Sequence, residues 1–172
     1  QGERIRADLA REQEILRQNE ERATFYRLAV AITTVLDVQA ILNATTRELG
    51  EVLHASSCGI ALLNHARDEL LVVSDYRRNP QEATAMGVHI PLASNPSSQY
   101  VVDNGQSLVV PQPQVNPLTA PVHEVMASRH VECLMLTPLR TRGEVVGTIG
   151  IDTDTPGREF SPQEVLLAET IA

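Results

Sequence analysis

The sequence predicts an α+β fold: a mainly antiparallel sheet, with terminal helices on one face and short helices and loops on the other. Three observations predict it. Period-two runs occur in pairs joined by tight turns. A long polar stretch free of Pro leads into them, and a complete helix-start signal at Ser161-Pro162 follows them.

Residues 3–34 read as one helix, uninterrupted by Pro. Ile5, Leu9, Leu16, Ala23, Tyr26 and Val30 fall at heptad-like spacing, with Glu12 and Asn19 as polar gaps. So thin a stripe suits a two-stranded coiled coil, and a homodimer through this helix is expected. The stripe thickens at Phe25, Leu28, Ala29, Ile32 and Val35. Asp37 suits the N-cap of a second helix over 38–54, whose buried face holds Ile41, Leu49 and Leu53. His54 would lie in its last turn, where the helix dipole favours a cation.

The period then changes. Residues 57–63 and 69–76 read as a hairpin around Asn64-His65-Ala66-Arg67-Asp68. Residues 87–92 read as a short strand, and Asn95-Pro96-Ser97-Ser98 opens a short helix closed at Asn104-Gly105. Residues 107–110 form another short strand. Pro111, Pro113, Pro117 and Pro121 exclude regular structure over 111–121. A short helix over 121–129 precedes two strands, 132–140 and 144–152, turned at Arg142-Gly143. Ser161 is the expected N-cap of the last helix, with Pro162 at its first position and Glu164 completing a capping box. Phe160 can staple to Val165.

Composition narrows the function. The net charge is −8, and the six Arg and six acids of residues 1–27 cancel, so the surplus lies in the remainder. Such acidity repels a phosphate backbone, and no nucleic acid partner is expected. All basic residues are Arg. The absence of Lys removes Schiff-base chemistry and the P-loop. Cys58 and Cys133 stand far apart in apolar runs and read as buried free thiols, which suits a cytoplasmic location. No run of eighteen apolar residues exists, so no helix is expected to span or contact a membrane. The chain is expected to be part of a longer protein.

From Leu28 to Ala172 the order and residues resemble a GAF domain. The resemblance rests on Asn104-Gly105-Gln106-Ser107-Leu108-Val109-Val110-Pro111, on Thr137-Pro138-Leu139 with Arg142-Gly143-Glu144-Val145-Val146-Gly147-Thr148-Ile149-Gly150, and on Phe160-Ser161-Pro162-Gln163-Glu164. It implies a domain over 28–172 behind a coiled-coil signalling helix over 1–27. It further implies a small-molecule-sensing regulatory role, with helices relaying the ligand state to an output domain such as a histidine kinase. GAF domains bind cyclic nucleotides, bilins, haem or small metabolites, and some bind nothing. The Asn-Lys-Phe-Asp-Glu signature of cyclic-nucleotide binders is absent here. So are the adjacent Cys-His pair of bilin attachment and the clustered cysteines of the free methionine sulfoxide reductase.

Candidate ligand residues follow from position. His89, His123 and His130 flank the expected pocket side, and imidazole there could ligate haem iron or another metal. Ser97, Ser98 and Tyr100 sit near a short helix start, where backbone N–H groups could hold an anion. Cys133, Met135 and Thr137 share one strand face by alternation, which could line a cavity or pack as core. No acid–base pair, nucleophile triad or metal spacing marks an enzyme. The expectation is a sensor, with a ligand-free dimerisation and spacer module and a haem-based gas or redox sensor as alternatives.

Overall fold

In the computed structural model Gly2–Val52 form one uninterrupted helix, α1. The structure describes the backbone of residues 2–172 and the side chains of Arg11 and residues 13–172. The expected boundary at Asp37 is absent, and Asp37 lies inside the helix. No Pro or Gly stands between Glu3 and Leu49, so nothing interrupts the hydrogen-bond ladder. One Asp in a helix interior costs only about 0.7 kcal/mol against Ala. Thr33, Thr34 and Thr45 turn their hydroxyls back to the carbonyls of Ala29, Val30 and Ile41.

The chain divides after Ala40 into two compact units. In the first, Leu16, Tyr26 and Val30 of the expected heptad seam are exposed; the side chains of Ile5, Leu9 and Glu12 lie outside the described residues. Phe25, Leu28, Ile32, Val35 and Leu36 are also exposed, at 58–77%. Arg17 pairs with Glu14 and Glu21 at 2.8 and 2.6 Å, worth a few tenths of a kcal/mol each. An eighteen-residue window of α1 reaches a mean hydropathy of 1.5 with none of it buried. By length and composition, therefore, one helix is apolar enough to cross a membrane, contrary to the sequence expectation. The expectation asked for an unbroken apolar run. Here Leu, Ile, Val and Ala raise the mean although Asp37 and Gln39 interrupt them.

The second unit carries a six-stranded sheet: β1 (Ser57–Leu63), β2 (Glu69–Arg77), β3 (His89–Pro91), β4 (Leu108–Pro111), β5 (Cys133–Thr141) and β6 (Glu144–Thr153). Its order is β3-β2-β1-β6-β5-β4, and every neighbouring pair is antiparallel. Between strands lie α2 (Pro96–Asn104) and α3 (His123–Ser128), and α4 (Pro162–Ile171) ends the order. The Arg142-Gly143 turn has positive φ at both positions (51° and 85°), as a two-residue hairpin between right-twisted strands requires. Part of the Pro-rich segment is more ordered than expected: Pro117–Val122 form 3-10 turns kinked at Thr119, with the Asn116 side chain accepting from the Leu118 N–H. Pro117 fits at the first position because its missing N–H would be unsatisfied in a first turn anyway, and Pro121 follows the kink at Thr119.

The sheet has two differently furnished faces. Cys58, Ile60, Met135, Ile149 and Ile151 point to one, where Leu49 and Leu53 at the end of α1 and Ala168 of α4 pack on them. Phe160 and Val165, the expected staple, join the same cluster. Ser161 accepts from the Glu164 N–H at 3.3 Å while Glu164 accepts from the Ser161 N–H at 2.8 Å, completing the capping box. The other face holds smaller clusters, around Leu70, Val72, Leu92 and Val102 and around Val101, Val110, Leu134 and Leu136. The expected layering is therefore observed.

His54 corrects a local expectation. It lies just beyond the helix with φ 47°, and the Ala55 N–H reaches back to the Gly50 carbonyl at 2.8 Å. That is a Schellman termination with His in the left-handed position usually taken by Gly. The orphan carbonyls that a basic last turn would serve are met instead by Arg158, which donates to Leu53 and His54 at 2.5 and 3.0 Å.

Candidate ligand cavity

The two central strands place small residues on the face away from α1 and α4. Gly59 stands opposite Gly150, and Ala61 opposite Thr148. On the other face the same strands carry Cys58, Ile60, Ile149 and Ile151. The small side chains leave room above the sheet, and the short elements roof it rather than fill it. The result is a cavity of about 620 Å³, within the range of small-molecule sites. Val88 and Ile90 wall one side, Val122, Val125 and Met126 the opposite one, and Leu134 and Leu136 part of the floor.

One end of the cavity is charged. Asp152, at the end of β6, is buried and accepts from the Ser56 and Ser57 hydroxyls at 2.5 and 2.6 Å. Arg129 donates to both its oxygens, at 3.1 and 3.2 Å, and to Glu82 at 3.1 Å. Burial opposes the charge on Arg129, but Asp152 and Glu82 outweigh it and its affinity for the proton is raised. Asp75 accepts from Arg77 at 2.9 Å, from the Thr84 hydroxyl at 2.9 Å and from the Ala85 N–H at 2.7 Å, fixing the loop between β2 and β3.

Of the residues expected to bind a ligand, Ser98 alone lines this cavity. Ser97 is buried beside it in α2. Tyr100 is turned to Gln106, its hydroxyl 3.3 Å from Oε1. Cys133, Met135 and Thr137 do share a strand face, as expected, but it is the opposite one. Cys133 and Met135 belong to the core under α1 and α4, and Thr137 lies 3.3 Å from the Ser107 hydroxyl. Their neighbours Leu134 and Leu136 face the cavity, a shift of one residue that alternation alone does not resolve.

The histidines are placed differently from the expectation. His89 is exposed on edge strand β3, with Nδ1 2.6 Å from Glu69. His123 sits 2.7 Å from the Asn116 carbonyl, fixing the 3-10 turn. His130 is exposed with φ 52° and ends α3 as His54 ends α1, with the Val131 N–H donating to Met126 at 2.9 Å. No imidazole lines the cavity, and no cluster of His, Cys, Asp or Glu suited to a metal occurs among the described residues. Axial ligation of haem from this cavity does not fit. Nor is a thiol available to it. Burial, helped by Asp152 and Asp75, pushes the Cys58 thiol up to about 12, and burial raises Cys133 as well.

Sequence reasoning missed the residues that matter most here: Gly59, Ala61, Thr148 and Gly150 for the floor, and Arg77, Arg129 and Asp152 for the charged end. The floor had a signal, since small residues recur at every second position of Ser57–Leu63 and Glu144–Thr153. The charged end had none, because its members come from three separate segments.

Solved structures with this architecture include the GAF domain/HD domain protein from Geobacter sulfurreducens, with a TM-score of 0.67 at 15% identity over 78% of this chain and 86% of that one. The blue-light absorbing form of the Thermosynechococcus elongatus PixJ GAF-domain gives 0.65 at 14%, over 80% and 82%. The type II free methionine-R-sulfoxide reductase from Thermoplasma acidophilum gives 0.61 at 19%, over 77% and 85%. At these identities the likeness shows the fold. No curated protein matches the sequence. The family model for the GAF domain matches residues 37–172, and the chain accordingly belongs to the GAF domain family.

Proposed function

We propose that this chain is a cytoplasmic sensory module of a signalling protein, which takes a small molecule into the cavity and passes its presence to an output domain, such as a histidine kinase, through α1 and α4. One observation carries the proposal. The floor of the cavity and the seat of both helices are the two faces of the same strands, β1 and β6. A ligand pressing on Gly59 and Gly150 acts one sheet layer from Leu49, Leu53 and Ala168. Arg158 adds a direct tie, donating to the Leu53 and His54 carbonyls at the end of α1 and, at 2.7 Å, to Glu164 in the first turn of α4. A ligand shifts such a pair of helices only by binding one arrangement better than the other.

The partner proposed for α1 is a second copy of the chain. Its exposed apolar residues are too many for a solvated helix. Asp37 lies among them. It would cost about 2.5–3.5 kcal/mol in the middle of a bilayer, which favours pairing in water. The buried free thiols favour the cytoplasm as compartment. Thiol catalysis is not proposed, since both sulfurs sit on the helix side of the sheet.

The test compares small molecules extracted from freshly purified wild-type chain and from Gly59→Val, using liquid chromatography with mass spectrometry. A Cβ at Gly59 meets nothing closer than the Ser74 carbonyl at 3.5 Å, so a side chain can start from this floor position, and circular dichroism checks that the variant is folded. A species enriched in the wild type supports the proposal. Identical extracts from both, with the variant folded, count against it.

A further inference from the structure

The charged end of the cavity has one exchangeable member. Asp75, Glu82 and Asp152 face two guanidinium groups, Arg77 and Arg129, leaving one excess negative charge. Asp75 and Asp152 are each held by several hydrogen bonds and are almost fully buried, at 2% and 6% side-chain exposure. Glu82 is different. It lies in the loop between β2 and β3, its side chain is 30% exposed, and its carboxylate accepts one hydrogen bond, from Arg129. The Arg77 guanidinium is buried among the cavity-lining residues, and its Nη1 makes no hydrogen bond. That nitrogen faces Glu82 Oε2 across 3.9 Å, beyond hydrogen-bonding distance. A buried guanidinium N–H without an acceptor is destabilising, and a ligand that supplies the acceptor relieves it.

Resting on the sensor reading above, we propose that the ligand is a small carboxylic acid with an apolar body, whose carboxylate displaces Glu82 and takes both Arg77 Nη1 and Arg129. Glu82 is then a built-in competitor. When it swings out to water, the incoming carboxylate restores the same charge balance, and Arg77 Nη1 gains the hydrogen-bond acceptor it lacks. The rest of the cavity, with Ala61, Val72, Val88, Met126 and Leu134, suits an apolar body. A phosphate would add a second negative charge beside Asp75 and Asp152, which the carboxylate does not. Asp75 anchors Thr84 and Ala85, so the displacement is confined to the loop before them and loosens it.

Calorimetric titration with three pairs of equal shape tests this: isovalerate and isovaleramide, phenylacetate and phenylacetamide, indole-3-acetate and indole-3-acetamide. For at least one pair the acid binds wild type tenfold or more tightly than its amide. Glu82→Ala strengthens binding of that acid about tenfold and leaves the amide unchanged, and Arg77→Gln brings acid and amide together. Glu82→Ala alters a partly exposed loop side chain and keeps the test open if Arg77→Gln fails to fold. Amides that bind as well as their acids, or a Glu82→Ala chain that binds acids more weakly, overturn the carboxylate assignment while leaving the cavity as a ligand site. Six compounds that all fail to bind Glu82→Ala overturn it too, and the sensor reading is then judged separately by the Gly59→Val extracts.

Discussion

Asp152→Ala removes the group on which the charged end of the cavity is built. The carboxylate is 6% exposed and accepts from two serine hydroxyls and both Nη atoms of Arg129. Its loss strands a guanidinium that is only 15% exposed. Breaking a buried pair from one side costs about 3–5 kcal/mol. Arg129 keeps Glu82, which places this case near the lower end, at about 3 kcal/mol. For a chain of this size that corresponds to a fall in Tm of about 6–12 °C. Urea titration followed by circular dichroism measures it, with Asp154→Ala as the control. Asp154 pairs with Arg78, but both are substantially exposed, and the control loses under about 1 kcal/mol. Adding Arg129→Met to Asp152→Ala removes the stranded charge, so the double variant loses less than the sum of its parts by about 1 kcal/mol or more. An Asp152→Ala chain no less stable than Asp154→Ala would refute the assignment of a buried, interdependent cluster.

Glycine contacts separate two superficially equal positions. A Cβ at Gly147 would stand 2.2 Å from the Ala61 backbone oxygen, so Gly147→Ala destabilises by about 1–3 kcal/mol in urea titration, whereas Gly59→Ala changes stability little. Ser161→Ala removes the cap of α4 at a cost of about 1 kcal/mol in the same assay. Burial works against the Glu164 charge, but hydrogen bonds from the Ser161 N–H and Arg158 outweigh it and hold the carboxyl below its ordinary value. Its contribution is therefore complete above about pH 4.3 and lost as the pH falls through the lower folded-state value, and Glu164→Gln flattens the stability profile over that acid window. Native chain leaves Cys58 unreactive toward a thiol-specific disulfide reagent at pH 8, since the thiol is fully buried and burial pushes it up to about 12; unfolding exposes it. Ile32→Asp, in the exposed stripe of α1, converts the expected dimer to monomer in sedimentation experiments.

Local signals in the sequence were reliable where they fixed backbone shape. Arg142-Gly143 gave its hairpin, Ser161-Pro162 with Glu164 gave its helix start, and the pairing of apolar runs gave the strands and the layering. The failures have physical causes. Asp37 resembles an N-cap in isolation, but a cap signal does not end a helix that nothing breaks. His130 reads as a candidate ligand because imidazole binds metals, and His54 as a basic residue inside a last helical turn. Both instead terminate helices in the left-handed region, a backbone role that His tolerates better than most residues. Alternation put Cys133, Met135 and Thr137 together correctly, yet only the register with β4 and β6 says which face they take. The cavity itself depends on that register too, because Gly59 and Gly150 matter as a pair and the pairing joins residues far apart in the chain.

Native mass spectrometry of freshly purified wild type and Gly59→Val tests the central claim most directly, because subunit count and retained small molecule appear in one spectrum. The account predicts a dimer in both, with an added mass of about a few hundred daltons per chain in the wild type only. A wild-type chain that stays monomeric at high concentration, or an added mass that persists undiminished in Gly59→Val, would contradict it.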